Sequence, residues 1–517
     1  MNKKILLVIF LLILFLTLVW SDTNNERTLS LEECIITTLE NNLDVAVQVL
    51  NTEISDETVI SAGEIFFPQL QLYYNQESTN SASFSWIESE GTYTEDTSTY
   101  QAVLSQLLPI GGRLQVTLLN YRNENNDRFQ TINPLFYSNL RFTLTQPLLR
   151  DFGLRTTRRE IIAAKYSRDI SEENLKTFLM TTIYNVETAY WNLVYSMENL
   201  KAQQWSLDLA RDLLEMNLKE VEVGMMAPIE ISIAEAEVAT READILQAEA
   251  DIHDNTDVLL TLLNLPQKEG EIRLRIIPKD KPSYEKVTIS AEEALETAYV
   301  YRPDLNSLKT DVKSRKLDVS YARNQLLPNL NLEARYWSPG VSGTQILFRD
   351  GNPLTGEIVG TLPGGRADAF KDAFNFLYQN WSVAFTLDIP LNSIFSHAEY
   401  SRARLSLKQA ELQVRSQEKT ILQEIKSAVR AVDTEYKKVI AYKKARELAE
   451  INYRNEEKRW KVGLTTNYQV LLLQRDLAAA RSAEIRAVID YNLALAALNQ
   501  AMGISLKQKN IVPAIYH

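Results

Sequence analysis

LSLKQAELQVRSQEKTILQEIKSAVRAVDTEYKKVIAY, residues 405–442, is the middle of a stretch from Leu391 to Val462 that contains neither Gly nor Pro. At about 70 residues this stretch far exceeds the roughly 8–20 of an ordinary globular helix. One unbroken helix of that size would be on the order of 100 Å long, at about 1.5 Å per residue. Its polar positions are Lys, Arg, Glu and Gln, which lose little on becoming helical. Apolar residues recur at spacings of three and four, among them Leu405, Leu412, Ile421, Ile425, Val429, Val432, Tyr436, Val439 and Tyr442. Gly463 then offers a left-handed stop. A stripe of this length needs equally long neighbours to cover it.

The chain supplies one between Gly153 and Gly224, again without Gly or Pro, and it ends Glu-Val-Glu-Val-Gly where the other ends Arg-Trp-Lys-Val-Gly. The pair reads as a duplicated unit. Three further correspondences share one spacing: Ser30 with Ser290, Asp44 with Asp304, and Pro68 with Pro328. Ser30 and Ser290 are each followed three residues later by Glu (Glu33, Glu293), the pattern of a capping box at a helix start. On this basis residues 22–285 form a first repeat, with a long helix at 154–223 and a shorter one at 229–265. Residues 286–517 form a second, with a long helix at 391–462 and a shorter one at 468–502. An opening helix of about 35 residues plus a closing one of about 37 matches one long helix, so two short helices can stack end to end beside it.

After Pro68 and Pro328 the period changes from 3.6 to 2. Leu70, Leu72 and Tyr74 alternate with polar neighbours, as do Leu330, Leu332, Ala334 and Tyr336. Returning strands carry Leu140, Phe142 and Leu144, then Val383, Phe385, Leu387 and Ile389. Strand regions at 69–147 and 329–389 follow, each with one greasy and one wet face, as in a membrane barrel; a half-buried soluble sheet alternates in the same way. Gln76–Ser98 and Ser338–Ala367 are expected to be exposed loops. A further hairpin is expected at Tyr100–Leu108 and Arg113–Tyr121 around Pro109-Ile110-Gly111-Gly112, with its place open. Residues 267–287, with Pro278 and Pro282, read as a link between the halves.

Residues 1–21 have the form of an export signal: Lys3 and Lys4, an apolar core from Ile5 to Val19, and a small-residue cut near Ser21. No later run reaches the roughly 20 apolar residues of a membrane-spanning helix. With Asp+Glu 67 against Lys+Arg 55, a net charge of −12 argues against a nucleic-acid partner. Cys34 is the sole cysteine, so neither an intrachain disulfide nor a zinc cluster is expected. His253, His397 and His517 are scattered singly, and no catalytic residue, metal site or cofactor is expected. No nucleotide-binding loop is present either, so any energy has to come from partners.

Strand pairs set into a duplicated helical hairpin resemble the TolC-type outer-membrane efflux channel family. The resemblance is carried by the Pro-initiated strands, the run Thr-Gln-Pro-Leu-Leu-Arg-Asp-Phe-Gly at 145–153, and the segments at 223–225 and 459–465. It implies a mixed α and membrane-β fold. Duplicated long helical hairpins form a periplasmic tunnel, and strand pairs enter a trimeric shared β-barrel in outer-membrane lipid. It also implies a passive exit duct of a tripartite efflux or type I secretion system, with a homotrimer, a periplasmic membrane-fusion adaptor and an inner-membrane pump as partners. Four strands per copy would then give a barrel of about twelve, enough for an aqueous lumen. By the same resemblance Val223, Gly224, Met225, Val462, Gly463 and Leu464 form an adaptor-binding tip. Acidic residues six and nine positions after the second glycine form the family's constriction; here those positions are Gln469 and Leu472. Glu230, six after Gly224, is the candidate for a carboxylate ring, and Glu230 and Gln469 together are the expected pore constriction. Alternatively, Glu230 simply complements a helix N-terminus. A soluble periplasmic coiled-coil scaffold is the competing reading of the whole chain. The carboxylate run from Glu235 to Asp251 reads as a solvated helix face rather than an active site.

Overall fold

Ser30 and Ser290 start helices in the same way. Each hydroxyl accepts from the backbone N–H three residues on, and Glu33 and Glu293 reach back to the serine N–H. These reciprocal bonds satisfy donors that a helix start leaves open. The computed structural model describes residues 26–83, 91–265, 274–391 and 394–511; the expected export segment at 1–21 and His517 lie outside the described residues.

In chain order the elements are β1 (Glu26–Leu29), α1 (Leu31–Asn41), α2 (Leu43–Gly63), β2 (Gln69–Ala82), β3 (Thr92–Leu107), β4 (Arg113–Asn125) and β5 (Ile132–Pro147). Next come α3 (Arg159–Glu222), α4 (Ile229–Leu263), β6 (Arg275–Pro278), α5 (Ala291–Tyr301), α6 (Pro303–Asn324), β7 (Asn329–Phe348) and β8 (Ile358–Leu362). The chain closes with α7 (Arg366–Phe374), β9 (Asn380–Asp388), α8 (Ile394–Lys461) and α9 (Asn467–Met502). α3 and α8 hold 64 and 68 residues without interruption. The expected single opening helix is broken at Asn42, an extended residue whose side chain accepts from the N–H groups of Asp44 and Val45. No helix among the described residues is long and apolar enough to cross a membrane.

The chain divides into two compact units. The first draws on Met1–Thr52, Glu172–Ser307 and Val414–His517, and its described residues are helical apart from one short strand pair. Tyr190, Ile183, Val186 and Leu193 of α3 pack with Cys34, Ile35, Leu259, Leu263 and Ile276. A second cluster joins Leu305, Ile421, Ile425, Val439, Tyr491 and Leu498. The segment read as a plain link contains β6, which pairs in parallel with β1, Glu26 opposite Arg275 and Leu29 opposite Pro278. Four-residue strands gave too short a run for any period to show. Asp280, just past β6, accepts from the Leu31 N–H at 2.7 Å and the Tyr190 hydroxyl at 2.9 Å.

The second unit, Glu53–Ser171 with Leu308–Gln413, carries one sheet in the order β2-β3-β4-β5-β7, with β8 and β9 both on the far side of β7. β9 pairs the lower part of β7 and β8 the upper part, so the sheet has six columns. One row, Leu70–Leu104–Val116–Phe142–Tyr336–Trp381, crosses all six on the apolar face. The adjacent row, Gln69–Ser105–Gln115–Thr143–Arg335–Ser382, is polar throughout. Two sequence expectations change here. The segments read as loops are largely strand: β2 runs to Ala82, β3 starts at Thr92, and β7 continues through Ser338, Pro339 and Gly340 to Phe348. Beyond the apolar band the ends of β2 and β3 are mostly polar on both faces, so alternation gave no signal, and in β7 the run Ser-Pro-Gly interrupts it. The hairpin of open placement, now β3–β4, lies in the sheet between β2 and β5.

α7 lies on the apolar face. A Cβ added at Gly340 would meet the Ala369 carbonyl and sit 2.9 Å from the Ala373 nitrogen, so only glycine lets the helix backbone come this close. Phe376 stacks over Phe142 and Tyr336, and the Arg366 guanidinium lies over the Tyr100 ring at 4.8 Å. Beside this contact the buried Asn120 donates to Ser138 at 2.6 Å.

Candidate functional site

The tip residues expected from sequence occupy two helix ends in the helical unit. α3 and α8 stop by the same backbone device. Gly224 and Gly463 each take φ of +75°, in the left-handed region that favours glycine. The Met225 N–H donates to the Glu220 carbonyl at 2.8 Å, and the Leu464 N–H to that of Arg459 at 2.9 Å. Gly224 and Gly463 donate to Val221 and Trp460 at 3.0 and 2.9 Å. Bonds spanning five residues behind a left-handed glycine are the Schellman ending, which satisfies the last helical carbonyls with main chain alone. The flanking side chains are therefore free of any capping duty, and they point to solvent: Val223 is 68% exposed, Met225 81%, Val462 68% and Leu464 68%. Four apolar side chains are thus held outward at the two turns.

Just inside these turns the two helical pairs are tied together. Asn467, at the start of α9, is 3% exposed and donates its Nδ2 to Glu230 Oε2 at 3.2 Å. Asn217 of α3, fully buried, donates to the Glu230 carbonyl at 3.5 Å. Among the described residues, the Oδ1 atoms of both asparagines lack a hydrogen-bond partner. Deeper along α4, the buried Glu237 meets Arg241 of its own helix and Arg475 of α9, each at 2.7 Å. Gln474 donates to the Tyr453 hydroxyl at 3.4 Å, and Arg481 lies over the Trp205 ring at 3.5 Å. Burial pushes the Tyr453 hydroxyl above its ordinary value and lowers that of Arg481. Polar groups thus punctuate a seam otherwise filled by Leu213, Trp460, Val470, Leu471 and Leu477.

Of the expected constriction pair, Glu230 lies in the first turn of α4 and is engaged by Asn467, while Gln469 lies in the first turn of α9 with its N–H on the Thr466 carbonyl. Sequence reasoning missed Asn467, reading it as the last residue of a turn, and gave Asn217 no role. Two asparagines that sit at helix-rich positions without capping them were the available signal. Among the described residues no three His, Cys, Asp or Glu side chains gather as a metal site.

Higher in the same unit, Arg302 bridges Asp304, at 2.6 Å, and Glu424. Burial alone would raise the Asp304 carboxyl; Arg302, the Leu305 N–H and Gln417 outweigh it and hold the group below the usual carboxylate value. With Thr177, Ser427 and Gln500 these groups line an open cavity of about 510 Å³.

A six-column sheet with one greasy face, joined in one chain to uninterrupted helices of this length, defines an outer-membrane channel component. The sequence pattern of the outer membrane efflux protein family matches residues 117–265 and 294–504, and the chain belongs to that family. Its fold is similar to the outer-membrane channel OprN, at 16% identity and a TM-score of 0.65 over 92% of this chain and 89% of that one. It is also similar to the Campylobacter jejuni CmeC outer membrane channel (15%, TM-score 0.62, 92% and 85%) and to VceC of Vibrio cholerae (16%, TM-score 0.63, 92% and 96%). No curated protein matches the sequence. The chain is an efflux duct of the outer membrane that extends into the periplasm, in a family of channels rather than enzymes, and nothing favours the soluble-scaffold reading.

Proposed function

We propose that three copies of this chain, each built from the two repeats 22–285 and 286–517, close one passive duct. A periplasmic adaptor docks on the tip, and an inner-membrane pump supplies the energy. The observation that supports this most is the sheet itself: among the described residues it has an apolar face and an unpaired edge on each side, and open edges are not tolerated in lipid. Sister copies are the covering that makes such a sheet stable in a bilayer.

Val223, Gly224, Met225, Val462, Gly463 and Leu464 form the adaptor contact, because they are the exposed apolar residues of the paired turns. A photo-reactive residue at Met225 or Leu464 should crosslink a periplasmic adaptor in the assembled complex, and one at the exposed Lys437 should not. Absence of tip crosslinks with an assembled complex would remove the docking assignment. Glu230 and Gln469 form the constriction, where three-fold repetition turns each into a ring. A ring of carboxylates favours cations. Native mass spectrometry of the detergent-solubilised protein tests the copy number, with a trimer expected and a stable monomer contradicting it.

A further inference from the structure

We propose that each copy contributes six strands, not four, to the barrel wall, and that copies join by pairing the free edge of β2 with the free edge of β9 of the next copy. In a three-copy duct this gives eighteen strands. The inference rests on the reading of the chain as a shared barrel and settles how that barrel is built.

Three observations lead to it. First, β3 and β4 pair along their lengths with β2 and β5, over thirteen residue pairs between β3 and β4 alone, so the hairpin is wall rather than appendage. The apolar and polar rows run through it without a break. Second, the edges match. Six is even, so β2 and β9 run in opposite directions and can continue the antiparallel ladder from copy to copy. Both edge strands present bare apolar side chains on the greasy face: Leu72 is 73% exposed and Phe385 67%. Neither edge carries the Pro or Lys that soluble proteins use to blunt one.

Third, the sheet is already staggered for closure. The row that begins at Gln69, the first residue of β2, ends at Ser382, six residues short of the strand end at Asp388. Spread over five strand-to-strand steps, that stagger corresponds to a tilt of about 40°, within the range of closed barrels. Because diameter grows roughly linearly with strand number, eighteen strands make a wall about 1.5 times as wide as twelve.

The topology also supplies a test. β2 ends and β5 begins at the same edge of the sheet, so deleting residues 92–125 and joining Gly91 to Asn126 leaves β2 antiparallel to β5. Electron cryo-microscopy of the full-length protein in nanodiscs should count eighteen strands, and the deletion variant twelve with a diameter about one-third smaller. A twelve-strand wall in the full-length protein, with β3–β4 folded elsewhere, overturns the proposal. Should the deletion variant fail to assemble, a Cys34→Ala background carrying Leu72→Cys with Val383→Cys, Phe385→Cys or Leu387→Cys provides the second measurement. Oxidation should yield covalent dimers and trimers only when both edges carry a cysteine; none at any of the three registers counts against edge pairing. Six-strand units closed in a different copy number would overturn the three-copy duct while leaving the edge pairing intact.

Discussion

Asn467 and Glu230 meet across 3.2 Å, one from the start of α9 and the other from the start of α4, so the two helical pairs are latched to each other one turn inside the tip. The latch is a neutral amide on a carboxylate, a bond of about 1.5–3 kcal/mol when shielded and less where water competes. Its two members lie 237 positions apart in sequence.

Asn467→Asp places a second carboxylate beside Glu230. Repulsion replaces attraction, and the tip should spend more time open. Single-channel recordings should show a higher open probability than wild type, and Glu230→Gln in the same chain should reverse the effect. Recordings indistinguishable from wild type would mean that the bond does not restrain the tip.

Glu230→Gln alone keeps the amide contact to Asn467 within reach and removes the charge. Cation preference in planar bilayers should fall. Unchanged selectivity would take Glu230 out of the conduction path and leave it as a helix-end partner for Asn467.

Asp304→Asn should destabilise the helical unit by about 1–2 kcal/mol, since it leaves Arg302 with Glu424 as its remaining carboxylate and Asp304 is partly screened by water. The folded carboxyl holds a proton less readily than the unfolded one, whose ordinary value is 3.8. The contribution is therefore complete at neutral pH and is lost as acid protonates the group below that value. Denaturant midpoints of wild type and variant should differ at pH 7, and the gap should narrow only once the pH falls below 3.8; a gap that shrinks already between pH 7 and pH 5 would contradict the ion-pair account.

Cys34 is buried among Ile35, Tyr190 and Leu259, and burial, helped by the nearby Glu33 and Asp280 charges, pushes its thiol up to about 12. The thiolate is the reactive form, so maleimide at pH 7.5 should label the protein only after denaturation. Rapid labelling of the native channel would show that this core opens.

Gly463→Ala and Gly340→Ala should part company. At Gly463 nothing lies within 4 Å of an added Cβ, so the expense is the left-handed backbone alone, about 1 kcal/mol. At Gly340 the methyl group runs into the α7 backbone and the helix must lift off the sheet. Protease sensitivity around Arg366–Phe374 should rise for Gly340→Ala and stay at the wild-type level for Gly463→Ala.

How much of this was readable beforehand follows from where the signals were strong. α3 and α8 announce themselves through sixty-odd residues without Gly or Pro, and Ser30–Glu33 and Ser290–Glu293 through a local capping pattern. The sheet was legible only where Leu70, Leu72, Phe142 and Leu144 alternate against polar neighbours. Above that band both faces of β2 are polar, with Gln76, Ser78 and Asn80 on one and Glu77 and Thr79 on the other, and strand and loop look alike. Pro339 and Gly340 signalled a break, whereas Gly340 instead serves a packing contact, a use of glycine that depends on a helix some 30 residues downstream. The Asn467–Glu230 latch was hidden for a simpler reason: no periodicity links residues so far apart in the chain.

Both turns at the end of α3 and α8 are finished by glycine and by peptide groups, so none of the four outward side chains there takes part in holding the turn. Val223, Met225, Val462 and Leu464 can accordingly be exchanged without loosening the fold beneath them. If the proposed docking holds, selection can then re-tailor these four positions to a new partner while the scaffold stays as it is.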